Sequence, residues 1–131
     1  MMYLLVALGG ALGSVARYAV SLGAARWLGA GLPWGTLIVN VAGSFAIGLL
    51  AALLTVDGRP ALGGDARAFV MIGILGGFTT FSSFSLETLN LARSGALGAA
   101  AANTALSLLL CLAAVWLGFG AASLVIAEVN R

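Results

Sequence analysis

The chain has 131 residues, a formal net charge of +2, 62% hydrophobic residues and only 8% charged residues. An ordinary soluble domain is about 45–50% apolar and about 25% charged, and a globule of this size has a large surface to cover with polar groups. Six basic and four acidic residues do not cover it. A soluble monomer is therefore disfavoured, and so is a disordered chain, whose composition is charge-rich and apolar-poor.

The basic residues are all arginine: Arg17, Arg26, Arg59, Arg67, Arg93 and Arg131. They form no basic patch, so nucleic acid is not an expected partner. Cys111 is the only cysteine and histidine is absent. An intrachain disulfide and a Cys/His metal site are excluded. The commonest general base is missing as well, which argues against an enzyme.

A membrane-spanning helix needs about 20 mostly apolar residues. Charge-free runs cover 27–56, 68–86 and 94–127, and the first, 1–16, continues past Arg17 to residue 25. They predict an all-α membrane protein: one domain, 1–131, with four helices at about 3–23, 34–55, 67–91 and 96–119. The first run lacks the basic start of a signal peptide and reads as a retained span. Breakers mark the connections: Gly29, Gly31 and Pro33, then Asp57-Gly58-Arg59-Pro60 and Gly63-Gly64-Asp65, then Arg93-Ser94-Gly95.

With four spans both termini share a side with the loop between spans two and three. That side holds Arg59, Arg67 and Arg131; the other holds Arg26 and Arg93, with Arg17 inside span one. The positive-inside rule needs a clear excess to set an orientation. Three against two predicts insertion both ways, and so an antiparallel dual-topology homodimer; a single orientation set by weaker signals is the other reading.

Small residues recur in helical register: Gly9, Gly13 and Ser14 on span one, Gly43-Ser44 and Gly48 on span two. They read as helix packing. Span two carries Thr36 and Asn40 on one face, four apart. An Asn in the bilayer core is expensive unless paired or facing water. It either bonds a neighbouring helix or lines a pore. Span three holds Gly76-Gly77-Phe78-Thr79-Thr80-Phe81-Ser82-Ser83-Phe84-Ser85. A glycine pair weakens a helix, and a broken backbone is tolerated at membrane depth only inside protein or at a cavity. Freed carbonyls are good Na⁺ ligands, and in a two-fold dimer two breaks can meet on the axis. A polar kink without an ion is the other reading.

Phe81 and Phe84 are three apart, so they share a face if helix resumes. They serve either packing or, through their positive ring edges, an anion. Asn103 and Ser107 form a polar stripe with Thr104 on span four, open to the same two readings. Arg17 and Glu87 sit near span ends, at a vestibule, at the interface or in a pair.

These motifs resemble the Fluc (CrcB) fluoride channels of bacteria and archaea. The resemblance rests on Gly9-Gly10-Ala11-Leu12-Gly13-Ser14-Val15-Ala16-Arg17-Tyr18, on Trp34-Gly35-Thr36-Leu37-Ile38-Val39-Asn40 with Gly43-Ser44-Phe45, and on the stretch from Gly76 to Ser85. It implies antiparallel homodimers with two fluoride pores in the cytoplasmic membrane. It assigns Asn40, Phe81, Phe84, Ser82 and Ser107 to the pore, beside Thr36 and Asn103. It also implies a central structural Na⁺ on backbone carbonyls at Gly76 and Thr79. The family commonly has Tyr where this chain has Asn103, and Cys111 stands where a further hydroxyl is expected.

Two rivals share the size. A dual-topology multidrug transporter needs a membrane-embedded carboxylate, whereas Asp57, Asp65, Glu87 and Glu128 avoid the span centres. A non-transporting assembly subunit leaves the Asn, Phe and hydroxyl cluster without a purpose.

Overall fold

The computed structural model describes residues 1–29, 31–56, 59–60 and 63–129. Asp57, Gly58 and Arg131, which enter the loop and charge arguments above, lie outside the described residues. The elements run α1 (Met2–Leu28), α2 (Trp34–Leu53), a two-residue antiparallel pair β1 (Thr55–Val56) and β2 (Arg59–Pro60), then α3 (Gly64–Arg67). A π-helical segment (Ala68–Leu75) leads into α4 (Gly76–Phe78), followed by α5 (Phe81–Arg93) and α6 (Leu97–Val129). Four helical stretches are long and apolar enough to cross a membrane: α1, α2, Gly64–Arg93 and α6.

The boundaries differ from expectation in an informative way. α1 runs to Leu28 rather than 23, and α6 runs to Val129 rather than 119. Bilayer thickness sets how much helix is needed, but it does not end one. No proline interrupts residues 97–129, and an Ala-rich sequence continues as helix. Gly64 and Asp65, expected in a loop, form the first turn of α3, where Asp65 complements the helix dipole. Where a true breaker exists, the helix stops. After Arg93 the chain closes a Schellman turn: Ala96 N–H donates to the Leu91 carbonyl and Gly95 N–H to that of Ala92, both near 3 Å. Gly95 supplies the φ of +83° this requires.

Within the third span the backbone leaves helical geometry at two residues. Thr79 has φ −86°, ψ 158° and Thr80 has φ −155°, ψ 119°. The Gly76-Gly77 pair, expected to mark the interruption, is itself helical, and the extended residues come three positions later. β-Branched side chains favour extended backbone, and Thr80 is a good N-cap: its Oγ1 accepts the Ser83 N–H at 3.2 Å and starts α5.

Large apolar side chains point outward, as on α1, where Leu4, Leu8, Leu12 and Val15 are exposed. The buried positions are mostly small: Gly9, Gly13 and Ala24 on α1, Gly43, Gly48 and Ala52 on α2, Ala114, Gly118 and Ala122 on α6. Lipid supplies no hydrophobic drive between helices, so close van der Waals contact must hold them. α2 packs on α6, and α1 packs on the π segment and α4. The packing reading of the glycines holds here. A Cβ at Gly9 would meet the Phe69 carbonyl oxygen at 2.6 Å, and one at Gly13 would strike the Ile74 carbonyl. Gly43 faces side chain instead: its missing Cβ leaves room for the Thr79 methyl.

That difference is testable. Gly43→Ala should destabilise the folded protein by about 1–3 kcal/mol through overpacking. Adding Thr79→Ser, which removes the obstructing methyl but keeps the hydroxyl, should restore most of the loss. Gly13→Ala meets backbone and should not be rescued by any side-chain change at Ile74. Thermal unfolding in detergent, read by loss of the native size-exclusion peak, measures all three.

Candidate functional site

The extended pair creates a hydrogen-bonding problem. In an unbroken helix the Thr80 N–H would bond the Gly76 carbonyl. Here it donates instead to Asn40 Oδ1 on α2 at 2.7 Å, and Asn40 Nδ2 donates back to the Thr80 carbonyl at 2.9 Å. One side-chain amide thus pairs both polar groups of one peptide-bearing residue, and Thr80 is buried. The interhelical reading of Asn40 is what the geometry displays. Its amide nitrogen still carries a second hydrogen. The Gly76 carbonyl loses its usual donor by the same diversion.

Hydroxyls cluster behind the clamp. Thr80 Oγ1 donates to Ser83 Oγ at 3.1 Å and lies 3.2 Å from Ser82 Oγ. Three hydroxyl protons serve two hydroxyl–hydroxyl bonds, so one remains to be offered outward. Other hydroxyls bond their own helix: Ser85 to the Phe81 carbonyl and Thr104 to that of Ala100. Ser107 differs, with its Oγ buried and without a partner.

Phe81 and Phe84 follow the break with ring centroids 5.2 Å apart and planes tilted by 51°. Phe84 is buried, while Phe81 is 73% exposed, an unusual position for a ring beside a polar cluster. Thr36 and Glu87 meet at one end of the bundle, where the Thr36 hydroxyl donates to Glu87 Oε1 at 2.8 Å. Glu87 Oε2 is buried without a partner. Glu87 therefore lies inside α5 and is paired with α2, one of the readings open to it.

Two cavities take in some of these groups, while Ser82, Ser83 and Phe84 line neither. One, of about 440 Å³, is lined by Thr36, Glu87, Ser21, Asn90, Ser94 and Trp34 among others. The second, of about 290 Å³, brings together Asn40, Gly76, Thr79, Thr80 and Phe81 with Ser44, Met71 and Cys111. Asn103 and Ser107 are buried on α6 and line neither cavity. Arg17 also lines neither. Sequence reasoning missed Thr80 as the clamped residue, although Thr is a favoured N-cap residue. It also missed Thr88, whose hydroxyl accepts Asn103 Nδ2 at 2.8 Å.

Residues 4–119 match the family described as CrcB-like protein, Camphor Resistance (CrcB). The chain belongs to the CrcB family. Its curated relatives include proteins named Fluoride-specific ion channel FluC. The one from Opitutus terrae is 60% identical over 121 residues, covering 92% of each chain. That from Rhodospirillum rubrum is 53% identical over 125 residues, 95% of this chain and 97% of its own. Another, from Paramagnetospirillum magneticum, is 54% identical over 123 residues, 94% and 96% of the two chains. Uncharged N–H and O–H donors are the type of group gathered here. Among the described residues no cluster of His, Cys, Asp or Glu is placed to hold a metal through side chains.

The clamp predicts an asymmetry between substitutions in this CrcB chain. Asn40→Ala leaves the Thr80 N–H and carbonyl unpaired in apolar surroundings and should cost about 1–3 kcal/mol or more. Asn40→Asp keeps an acceptor for the N–H but sets a carboxylate against the Thr80 carbonyl, so it should not restore stability. Thermal unfolding in detergent, with amide hydrogen exchange at Thr80, reads both effects.

Proposed function

We propose that this chain is a fluoride-selective channel that lets F⁻ leave the cell passively across the cytoplasmic membrane and so relieves fluoride toxicity. It is a channel and not an enzyme. The observation that carries this reading is the donor cluster at the interrupted third span: Asn40, the Thr80–Ser82–Ser83 hydroxyls and the Phe81/Phe84 edges. The names of relatives more than 50% identical over nearly their whole length support the same ion.

Fluoride is small and holds its water tightly, so a pore must replace that shell with close donors. Asn40 has one amide hydrogen left, the Thr80–Ser82–Ser83 cluster has one hydroxyl proton, and Ser107 has its own. The rings of Phe81 and Phe84 turn positive edges toward an anion. Thr36 and Glu87 form the vestibule wall in this reading, with Asn103 on the α6 side and Arg17 outside it. Chloride, being larger, fits poorly between fixed donors.

The working unit in this proposal is an antiparallel homodimer with two pores, whose third spans are broken at mid-membrane. The near-balance of arginines supports dual topology, and the exposure of Phe81 supports a partner lying over it. A central Na⁺ fits the chemistry at the break. It is a hard cation that takes oxygen ligands, and the Gly76 carbonyl has been released by the Thr80–Asn40 bond. Gly76 and Thr79 of two copies would hold it, and the ion would neutralise converging carbonyl dipoles at the interface.

Purified protein in liposomes should release fluoride, read by a fluoride electrode, while chloride efflux stays at the level of empty vesicles. Phe81→Ile and Asn40→Asp should each lower fluoride efflux by about tenfold or more, the equivalent of ~1.4 kcal/mol. Efflux from wild type no faster than from empty vesicles would instead favour an assembly subunit. Separately, reporter fusions at the C-terminus should score on both sides of the membrane. Activity on one side only would refute dual topology.

A further inference from the structure

α5 carries Phe81 and Phe84, and two adjacent residues tie it to its neighbours. Glu87 binds the Thr36 hydroxyl of α2. Thr88 faces α6: its Oγ1 accepts Asn103 Nδ2 at 2.8 Å and donates its own proton to the Phe84 carbonyl at 2.8 Å. A hydroxyl bonded to the carbonyl four residues back is common in membrane helices and by itself serves only its own helix. The second bond changes this. It links Asn103 to Thr88 to Phe84 in one chain, and it is the one side-chain hydrogen bond between α5 and α6 among the described residues. Both ends of the chain are buried: Asn103 is 3% exposed and Phe84 8%.

The N-terminal end of α5 is fixed by the Asn40 clamp on Thr80. Eight residues further, about two turns along the helix, Thr88 is the point that fixes α5 against α6. Asn103 and Ser107 lie one turn apart on α6, so the same bond sets how far that stripe stands from the two rings.

We propose that Thr88 is a positioning residue for anion selectivity, holding the Phe81/Phe84 pair of α5 at a set distance from the Asn103/Ser107 stripe of α6. The inference rests on the channel reading above. A pathway that rejects chloride by size needs walls that do not spread, and apolar packing alone lets two helices slide. Without the Thr88 hydroxyl, Asn103 Nδ2 loses its partner and is free to turn toward other acceptors.

The test compares Thr88→Val, Thr88→Ser and Asn103→Leu in liposomes, with fluoride and chloride efflux read on the same preparation by ion-selective electrodes. Native size-exclusion behaviour is required of each protein. Thr88→Val, close in shape but without the hydroxyl, should lower the fluoride-to-chloride ratio by about three- to tenfold, the span one net hydrogen bond supplies. Thr88→Ser should stay within about twofold of wild type. Adding Thr88→Val to Asn103→Leu should change nothing further, because both cut the same bond. If Thr88→Val does not fold, Asn103→Leu must show the loss and Thr88→Ser the retention. An unchanged ratio in Thr88→Val, an equal loss in Thr88→Ser, or additive losses in the double variant would overturn the assignment. Wild-type protein that passes no fluoride would overturn the channel reading, and this one with it.

Discussion

Every backbone N–H and carbonyl inside a bilayer must find a partner within the protein. That constraint makes the Thr79–Thr80 interruption costly and makes Asn40 necessary. The amide of Asn40 matches a peptide group in both polarity and spacing, so one side chain replaces what a continuous helix would have supplied. Because Asn40 sits on α2, the repair also fixes α2 to the third span. The same bond that closes the break therefore orients the start of α5, and with it Phe81 and Phe84.

The glycines make that bond reachable. An amide clamp needs α2 within hydrogen-bond distance of another helix's backbone, which bulky side chains would prevent. Gly43, one turn beyond Asn40 on α2, gives its space to the Thr79 methyl. On the opposite flank Gly9 and Gly13 let α1 lie against carbonyls of the π segment. The third span is thus held closely from both sides, by backbone contact on the α1 flank and by the Thr79 methyl and the Asn40 clamp on the α2 flank. α5 is then held by polar bonds at three places: Thr80, Glu87 and Thr88.

Much of this was legible in the residues. Hydropathy and the scarcity of charge pointed to four spans, and an Asn amid apolar residues marked a site that had to be paired or wet. What was not legible has physical reasons. The glycine pair pointed to the interruption three residues early, because Gly permits a break but two β-branched residues with a capping hydroxyl produce one. Helix ends at Leu28 and Val129 escaped because membrane thickness limits what must be helical, not what is. Thr88 gave no signal, since a lone hydroxyl in a span usually bonds its own helix, and its second bond depends on which face α6 presents. Asn40 was read as either an interhelical bond or a pore donor. An amide with two hydrogens can serve both, since the clamp uses only one of them.

The scarce charges take on a sharper meaning beside this geometry. Among the described residues Glu87 is the one acidic residue held within a polar contact between spans, and one of its oxygens already accepts the Thr36 hydroxyl. A cation exporter needs a carboxylate open to its substrate at the middle of the membrane. Here the groups gathered at the interruption are an amide hydrogen, hydroxyl protons and ring edges, and none carries formal charge. Neutral donors attract an anion strongly only when it is small enough to touch several at once. Selectivity by charge would admit any anion, whereas selectivity by convergent neutral donors favours the smallest. The near-absence of charge that first pointed to a membrane protein is, in the proposed channel, what would favour fluoride over larger halides at this site.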